Sequence, residues 1–163
     1  MPDEPAHEMP EDAAAMITEY LENQHQFLSW LGFTVEEFTA DRLVGRIPFD
    51  EKLTNPTEPP TVQGGVASTL VDTTGGIALR PYLVDPVNDG IATITLNVNY
   101  LRRAGGDLVA TAEPIRAGGS VGVSYIEVVS EVPGEGQKPV AAGTGAYRLF
   151  NSERDPDAGD AAE

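Results

Sequence analysis

One stretch of the 163-residue chain decides its fold: Gln63-Gly64-Gly65-Val66-Ala67-Ser68-Thr69-Leu70-Val71-Asp72. From Gly65 to about Leu79, apolar residues recur at helical spacing, which predicts a helix over residues 65–79. Further apolar positions cover most of the remaining circumference, so this helix is expected to be buried. Pro81 ends the helix or lies just beyond its end.

This helix has a glycine pair at its start and a carboxylate two turns inside it. The first amides of a helix lack partners within it and carry partial positive charge, and glycine lets a carbonyl approach them closely. Such a site would polarise an acyl oxygen. Asp72 is costly to bury without a partner in a mostly apolar helix. Two plainer interpretations stay open: a sharp turn for the glycines, and a surface or core-capping carboxylate for Asp72.

The segments before this helix predict one more helix and two strands. Apolar spacing predicts an N-terminal helix over residues 13–31, with Gly32 as its C-cap. Two short strands follow at 33–39 and 42–49. Residues 50–63 contain three prolines and are predicted to form a loop.

The segments after this helix predict four strands, at residues 91–101, 108–117, 121–132 and 140–150. Pro114 suggests that the second of them is an edge strand or contains a bulge. Four consecutive antiparallel strands around a buried helix make an α+β fold. Strict alternation in the first strand predicts two opposite faces, one with Ile94, Leu96, Val98 and Tyr100, the other with Thr93, Thr95, Asn97 and Asn99.

Composition limits the class of protein. The chain has 26 Asp and Glu residues against 10 Lys and Arg, a net charge of -16, which should repel nucleic acids and anionic lipid surfaces. The absence of Cys excludes disulfides and thiolate chemistry, and two His residues argue against a His-rich metal site. No apolar run is long enough to span a membrane, and no secretory signal is visible. We therefore expect a cytoplasmic protein without a metal.

The acidic residues concentrate at both ends of the chain. Segments 1–14 and 151–163 are rich in Pro, Ala, Asp and Glu, and they are predicted to be disordered tails around a single domain at 15–150. One interpretation of this charge is simple solubility. The other is a cytoplasm with molar salt, where the Debye length is roughly 3 Å and dense like charge is tolerated. We predict the latter, a halophilic protein.

A G-x-S-x-G pattern at residues 118–122 is a misleading motif. A nucleophile elbow of this type needs a His after the Ser and a position between a strand and a helix. No His follows it, and it lies between two predicted strands. We interpret it as a tight turn.

The stretch from Gln63 to Asp72 resembles the H-G-G-x-x-x-x-x-x-D motif of the PaaI-like acyl-CoA thioesterases, which have the hotdog fold. The segment from Thr93 to Asp107 is similar to the family's N-x-x-Y-L-R-x-A strand, and residues 140–150 resemble its closing A-x-G-x-G-x-[YF] strand. The resemblance covers residues 40–150. It implies a curved antiparallel sheet wrapped around the central helix, and assembly into dimers and often tetramers.

The resemblance also implies roles for individual residues. Gly64 corresponds to the backbone donor to the thioester oxygen, and Asp72 to the catalytic carboxylate, which acts as a nucleophile or as a base for water. Asn55 corresponds to a polar residue before the motif, and Thr93 to a hydroxyl that helps hold the water. Gln63 replaces the family's His, so proton transfer is excluded at that position. Candidate substrate contacts are Gln63, Gly65, Thr73, Arg102 and Arg103, the last two for the phosphates of coenzyme A.

Spacing alone separates the two principal groups within one chain. Gly64 and Asp72 lie eight residues apart, which at about 1.5 Å per residue is roughly 12 Å along one helix. One thioester carbonyl cannot touch both. If both act on the same group, they come from two copies of the chain across a two-fold interface.

We therefore expect an acyl-CoA thioesterase that works as a homo-oligomer and needs no cofactor, because coenzyme A is part of its substrate. Three alternatives remain. A hotdog module could bind acyl-CoA without cleaving it, as a sensor or carrier. A hydratase of the related fold should show a D-x-x-x-x-H type dyad, and no His follows His25. A purely structural oligomer gives no reason for Asp72.

Overall fold

The computed structural model describes residues 8–151. The predicted tails fall largely outside this range, and the N-terminal helix begins two residues earlier than expected. That helix, predicted as one piece over 13–31, is interrupted. It consists of α1 (Glu11–Glu19), a π-helical turn (Tyr20–Gln24) and α2 (Gln26–Leu31). His25 separates the last two, with extended backbone and a side chain whose Nδ1 accepts the Leu28 N–H.

Helix α2 ends at Gly32, as the sequence predicted. Gly32 adopts the left-handed conformation, with φ of 73°, and its N–H bonds back to the carbonyls of α2. Glycine adopts this conformation without the steric cost that a Cβ brings, which explains why the helix stops there.

Six of the eight strands in the described residues form one antiparallel sheet in the order β1-β2-β6-β7-β8-β5. A separate two-stranded ribbon, β3 with β4, lies in the loop before the central helix, where the sequence predicted no regular structure. The sheet and ribbon have the bounds β1 Thr34–Phe38, β2 Leu43–Ile47, β3 Thr54–Asn55, β4 Thr61–Val62, β5 Gly90–Tyr100, β6 Leu108–Ala117, β7 Val121–Val132 and β8 Gly136–Phe150.

The central helix α3 (Gly64–Ile77) lies against the concave side of this sheet and packs on β2 and on β5 to β8. Its inward side is fully buried at Leu70 and Val71. Gly75 lets the sheet approach closely, because a Cβ there would overlap the hydroxyl of Tyr147. This arrangement is the predicted α+β hotdog fold, a curved antiparallel sheet around a long central helix with an extra helical segment at the N-terminus.

Two sequence expectations about turns and bulges are confirmed. The register of β6 against β7 shifts between Pro114 and Arg116, so the proline marks a bulge in an interior strand. The G-x-S-x-G segment is a turn between β6 and β7, closed by the Gly118 N–H to the Val121 carbonyl at 2.9 Å.

The predicted alternation of β5 is wrong at its start. Thr93 lies opposite Tyr147 and Thr95 opposite Ala146, so Ile94 is an extra residue without a partner on β8. This bulge reverses the alternation, because one inserted residue moves all preceding side chains to the other face. Thr93 therefore shares the helix-facing side of the strand with Leu96, and Ile94 is exposed.

The two edges of the sheet differ in character. The β1 edge is five residues long, contains a bulge, and carries Glu36 and Glu37 in ion pairs with Arg46 and Arg42. Charges and bulges of this kind discourage pairing with another chain. The β5 edge is 11 residues long and has no charged residue, and its surface is largely exposed. One edge is thus protected and the other is open.

None of the helices in residues 8–151 has both the length and the apolar character needed to cross a membrane.

Candidate active site

Asp72 is held by a neighbour on the sheet. It lies on the half-buried side of α3, and its Oδ1 accepts a hydrogen bond from the Thr93 hydroxyl at 2.7 Å. The β5 bulge allows this hydrogen bond, because without the bulge Thr93 would face away from the helix. The hydroxyl fixes one carboxylate oxygen, and no side chain of the described residues donates to the other.

Tyr147 forms a hydrogen bond to the main chain of the same turn of α3. Its hydroxyl donates to the Asp72 main-chain carbonyl at 3.1 Å, and the side chain is almost completely buried. Burial raises the pKa of Tyr147, and the nearby Asp72 carboxylate adds to the rise. The hydroxyl therefore stays protonated and acts as a donor. The closing-strand motif contains this residue, but its position in the sequence did not reveal the bond.

Asp72 opens into a cavity of about 860 Å³. The floor is α3 together with the start of β5, and the roof is the N-terminal segment from Met16 to Leu28. The walls are mainly apolar, which suits an acyl group. The sequence left the role of the N-terminal helix open, and the structure places it over the carboxylate. The apolar lining consists of Met16, Ile17, Tyr20, Leu21, Phe27, Leu28, Ile77, Val87 and Ile91.

Several further polar residues line this cavity, and three of them bear on its chemistry. Thr73 is one of the predicted substrate contacts, and it lies beside Asp72. Arg80 was not predicted. Its Nη1 bonds to the carbonyls of Pro86, Val87 and Asp89, and its burial lowers the pKa of the guanidinium. His25 lines the opposite wall.

The N-terminal end of α3 has one capped amide and one open amide. Gln63 is the N-cap, and its side-chain oxygen accepts the Gly65 N–H. Gln63 therefore performs a helix-capping role that a carboxamide suits. The Gly64 N–H has no hydrogen-bond acceptor among residues 8–151. Tyr100 from β5 packs over Gly64. An open amide at a helix start is a suitable donor to a carbonyl oxygen.

This end of the helix faces a second, smaller cavity. It measures about 320 Å³ and is lined by Gln63, Gly65, Val66, α2 and the segment 52–54. Asp72 does not line it, and neither Gln63 nor Gly65 lines the larger cavity. Within one protomer, the carboxylate and the residues beside the helix start therefore line different cavities, which adjoin at Phe27 and Thr69.

The remaining predicted residues lie apart from both cavities. Asn55 is half-buried in the β3–β4 ribbon and lines neither cavity. Arg102 is exposed after the end of β5, and its Nη1 donates to the Pro139 carbonyl at 2.8 Å. Arg103 is exposed beside it. The structure thus brings together Asp72, Thr93 and Thr73, and separately Gln63, Gly64 and Gly65.

Within residues 8–151, no group of three or more His, Asp or Glu side chains could hold a metal ion. The groups at the site are the Asp72 carboxylate, threonine hydroxyls, main-chain amides, the His25 imidazole and the Arg80 guanidinium.

Comparison with known proteins finds relatives that carry esterase or thioesterase names. The thioesterase superfamily matches residues 60–137. A protein of Halobacterium salinarum that carries the name "Putative esterase" is 46% identical over 147 residues, which cover 88% of this chain and 96% of its own. A solved structure from the thioesterase superfamily is 28% identical with a TM-score of 0.72, covering 85% of this chain and 98% of the other. A thioesterase structure from Haemophilus influenzae is 26% identical with a TM-score of 0.67, covering 80% and 90%.

The fold and these relatives define a hotdog protein of the thioester-hydrolysing type. The chain belongs to the thioesterase superfamily.

Proposed function

We propose that the protein is a PaaI-like acyl-CoA thioesterase whose active site is shared by two copies of the chain. The observation that carries this proposal is the Asp72 carboxylate, held by Thr93 in the wall of a large apolar cavity. A carboxylate with one bonded and one open oxygen is suited to attack a thioester or to accept a proton from water. The cavity beside it has the size and the apolar lining that an acyl group requires.

The proposed reaction begins with the thioester carbonyl oxygen at the open Gly64 amide. In the water route, Asp72 of the other copy takes a proton from water while the water oxygen bonds to the carbonyl carbon. The oxyanion is stabilised by the helix start, and its collapse breaks the C–S bond and releases the acid and the thiolate of coenzyme A, which takes up a proton. In the covalent route, Asp72 attacks directly, the thiolate leaves, and water then hydrolyses the mixed anhydride. Incorporation of labelled oxygen into Asp72 in a single turnover would identify the covalent route.

The open β5 edge supports the shared site. Eleven uncharged residues with unpaired main-chain groups are suited to pair with the same strand of a second copy. Tyr100 connects this edge to the active site, because it lies on β5 and packs over Gly64. A second copy paired at β5 would thus lie close to the helix start. We propose a dimer formed in this way, and a tetramer of two dimers as the larger assembly.

Release of free thiol from a panel of acyl-CoA substrates tests this function. We expect hydrolysis of aromatic or medium-chain acyl-CoA with loss of the thioester bond and stoichiometric appearance of thiol. If the protein binds acyl-CoA tightly but releases no thiol, it is a sensor or carrier. If it neither binds nor cleaves any member of the panel, the substrate class is wrong.

The net charge of -16 supports a further proposal, that the protein works in a cytoplasm with molar salt. At molar ionic strength, repulsion between exposed acidic side chains is screened within roughly 3 Å. We therefore expect the free energy of unfolding to rise with KCl up to molar concentrations. Denaturant unfolding at several KCl concentrations measures this, and a stability that does not change with KCl would contradict it.

A further inference from the structure

The rim of the smaller cavity carries two exposed aromatic side chains, which we call the aromatic patch: Phe27 and Trp30 on α2. Phe27 is 51% exposed and Trp30 is 55% exposed. Their rings are nearly parallel, with an interplanar angle of 13° and centroids 6.5 Å apart. Single exposed hydrophobic residues are common, but clusters of them mark binding sites. Two large apolar rings exposed side by side therefore indicate a binding surface.

A lysine lies over this patch. The Lys52 ammonium is 4.6 Å from the centre of the Trp30 ring and donates to the Trp30 carbonyl at 2.8 Å. Asp50 is its nearest carboxylate, at 3.7 Å. An ammonium has three donors, so this contact leaves Lys52 with capacity for an anion. The chain has only one other lysine, Lys138.

The patch adjoins the helix start. Phe27, Trp30 and Lys52 line the same cavity as Gln63 and Gly65, and this cavity adjoins the one that contains Asp72 at Phe27 and Thr69. Gly64 lines neither cavity, but its neighbours Gln63 and Gly65 line the smaller one, so a molecule whose carbonyl rests on the Gly64 amide would have the aromatic, cationic rim beside it. That rim suits other chemical groups than an acyl chain.

From this juxtaposition we infer that the aromatic patch and Lys52 bind the nucleotide end of the coenzyme A thioester. The inference rests on the proposed function. The pantetheine arm lies in the smaller cavity, the adenine packs against the exposed surface of the Phe27 and Trp30 rings, and Lys52, which lies over the Trp30 ring, contacts a phosphate. Aromatic side chains stack on bases without regard to their sequence, and an ammonium attracts phosphate in an otherwise acidic protein.

Trp30 is the sole tryptophan of the chain, so its fluorescence reports directly on the patch. Titration of the full-length protein with coenzyme A, at the lowest KCl concentration that keeps it folded, should quench this emission saturably. Adenosine 3′,5′-diphosphate should also quench it, and pantetheine should not. We expect Lys52→Gln to weaken coenzyme A binding about three- to tenfold, and the matched variant Lys138→Gln to leave it unchanged.

The second measurement compares the steady-state kinetics of two thioester substrates. For one acyl group, the ratio of kcat/KM with coenzyme A to kcat/KM with pantetheine should fall about three- to tenfold in Lys52→Gln, because only the longer thiol carries the phosphates. Arg103→Gln tests the other candidate phosphate contact. If Arg103→Gln or Lys138→Gln lowers this ratio and Lys52→Gln does not, the inference is overturned.

Two further results would overturn it. One is an equal fluorescence response to pantetheine and coenzyme A. The other is a Trp30 emission that is already that of a buried indole and changes only when the oligomer dissociates, which would assign the patch to a second copy of the chain. Failure of the proposed function is distinguishable, because absence of thiol release from every thioester leaves the coenzyme A titration as an independent result.

Discussion

The two ends of the central helix differ in what surrounds them. Toward its C-terminal half, Asp72 has a bonded hydroxyl, a buried tyrosine below it and a large apolar cavity in front. At its N-terminal end, the Gly64 amide has no acceptor among the described residues, and the adjacent Gln63 and Gly65 line a smaller cavity with an aromatic rim. In the proposed reaction, one region supplies the carboxylate and the other supplies the oxyanion donor.

Under the proposed function, this difference means that one protomer holds two half-sites. The helix is rigid over two turns, so no side-chain rearrangement brings its own Gly64 and Asp72 to a single carbonyl. The proposed two-fold axis would place the start of one helix beside the middle of the other and would create two complete sites at once. The variants below test each half separately.

Removing the carboxylate should have the largest effect. In Asp72→Asn, the side chain keeps its size and can still bond to Thr93, but it is a poor base and nucleophile. We expect kcat to fall by about 10³-fold or more, with the assembly state unchanged. Asp41→Asn, in the exposed β1–β2 turn, is the matched control. Full activity of Asp72→Asn would remove the catalytic assignment.

Removing the amide should have the next largest effect. Gly64→Pro deletes the N–H and adds a Cβ against Tyr100, and it should keep the helix, since proline is tolerated at the first helical position and Gln63 already has the extended backbone that precedes proline. We expect kcat to fall by about 10²–10³-fold. Gly64→Ala adds a Cβ against Tyr100 but keeps the donor. It should therefore retain most of the kcat, and equal losses in the two variants would indicate a steric effect instead of a lost donor.

The hydroxyl on β5 should have a smaller effect. Thr93→Val preserves the shape of the side chain and removes its bond to Asp72. Because a hydrogen bond to a charged group contributes about 1.5–3 kcal/mol, kcat should fall roughly tenfold or more. Thr95→Val, two residues along on the opposite face, should change kcat little. A similar loss in both variants would show that the bulged strand, not the Asp72 contact, is responsible.

The smallest effect is expected from the buried tyrosine. Tyr147→Phe removes one hydrogen bond to the main chain of α3, which should lower the free energy of unfolding by about 1 kcal/mol. Denaturant unfolding at a fixed protein concentration measures this. Tyr125→Phe, on an exposed part of β7, is the control. A stability equal to that of the unchanged protein would mean that water replaces this bond without cost.

Much of this architecture could be predicted from the sequence, because apolar periodicity and glycines mark it directly. The central helix begins one residue and ends two residues before the predicted bounds, and Gly32 ends α2 as expected. The Asp72 and Gly64 assignments came from the helix motif. Their catalytic roles stay predictions.

What could not be predicted depends on long-range contacts. The bulge at Ile94 leaves no mark in an alternating segment, because it is decided by the register against β8, and it reversed the face of Thr93. The break at His25 interrupts a continuous helical pattern, and only tertiary structure shows that the segment bends over the cavity. The Tyr147 bond joins residues 75 positions apart.

A heterodimer of two inactive variants tests the shared site most directly. Coexpressed Asp72→Asn and Gly64→Pro chains with different tags give a mixed dimer in which one site has both groups intact and the other has neither. If the site is shared across the two-fold axis, the mixed dimer should recover about half of the unmodified kcat. If its activity does not exceed that of the two parent homodimers, Gly64 and Asp72 act within one protomer, and the shared site is contradicted.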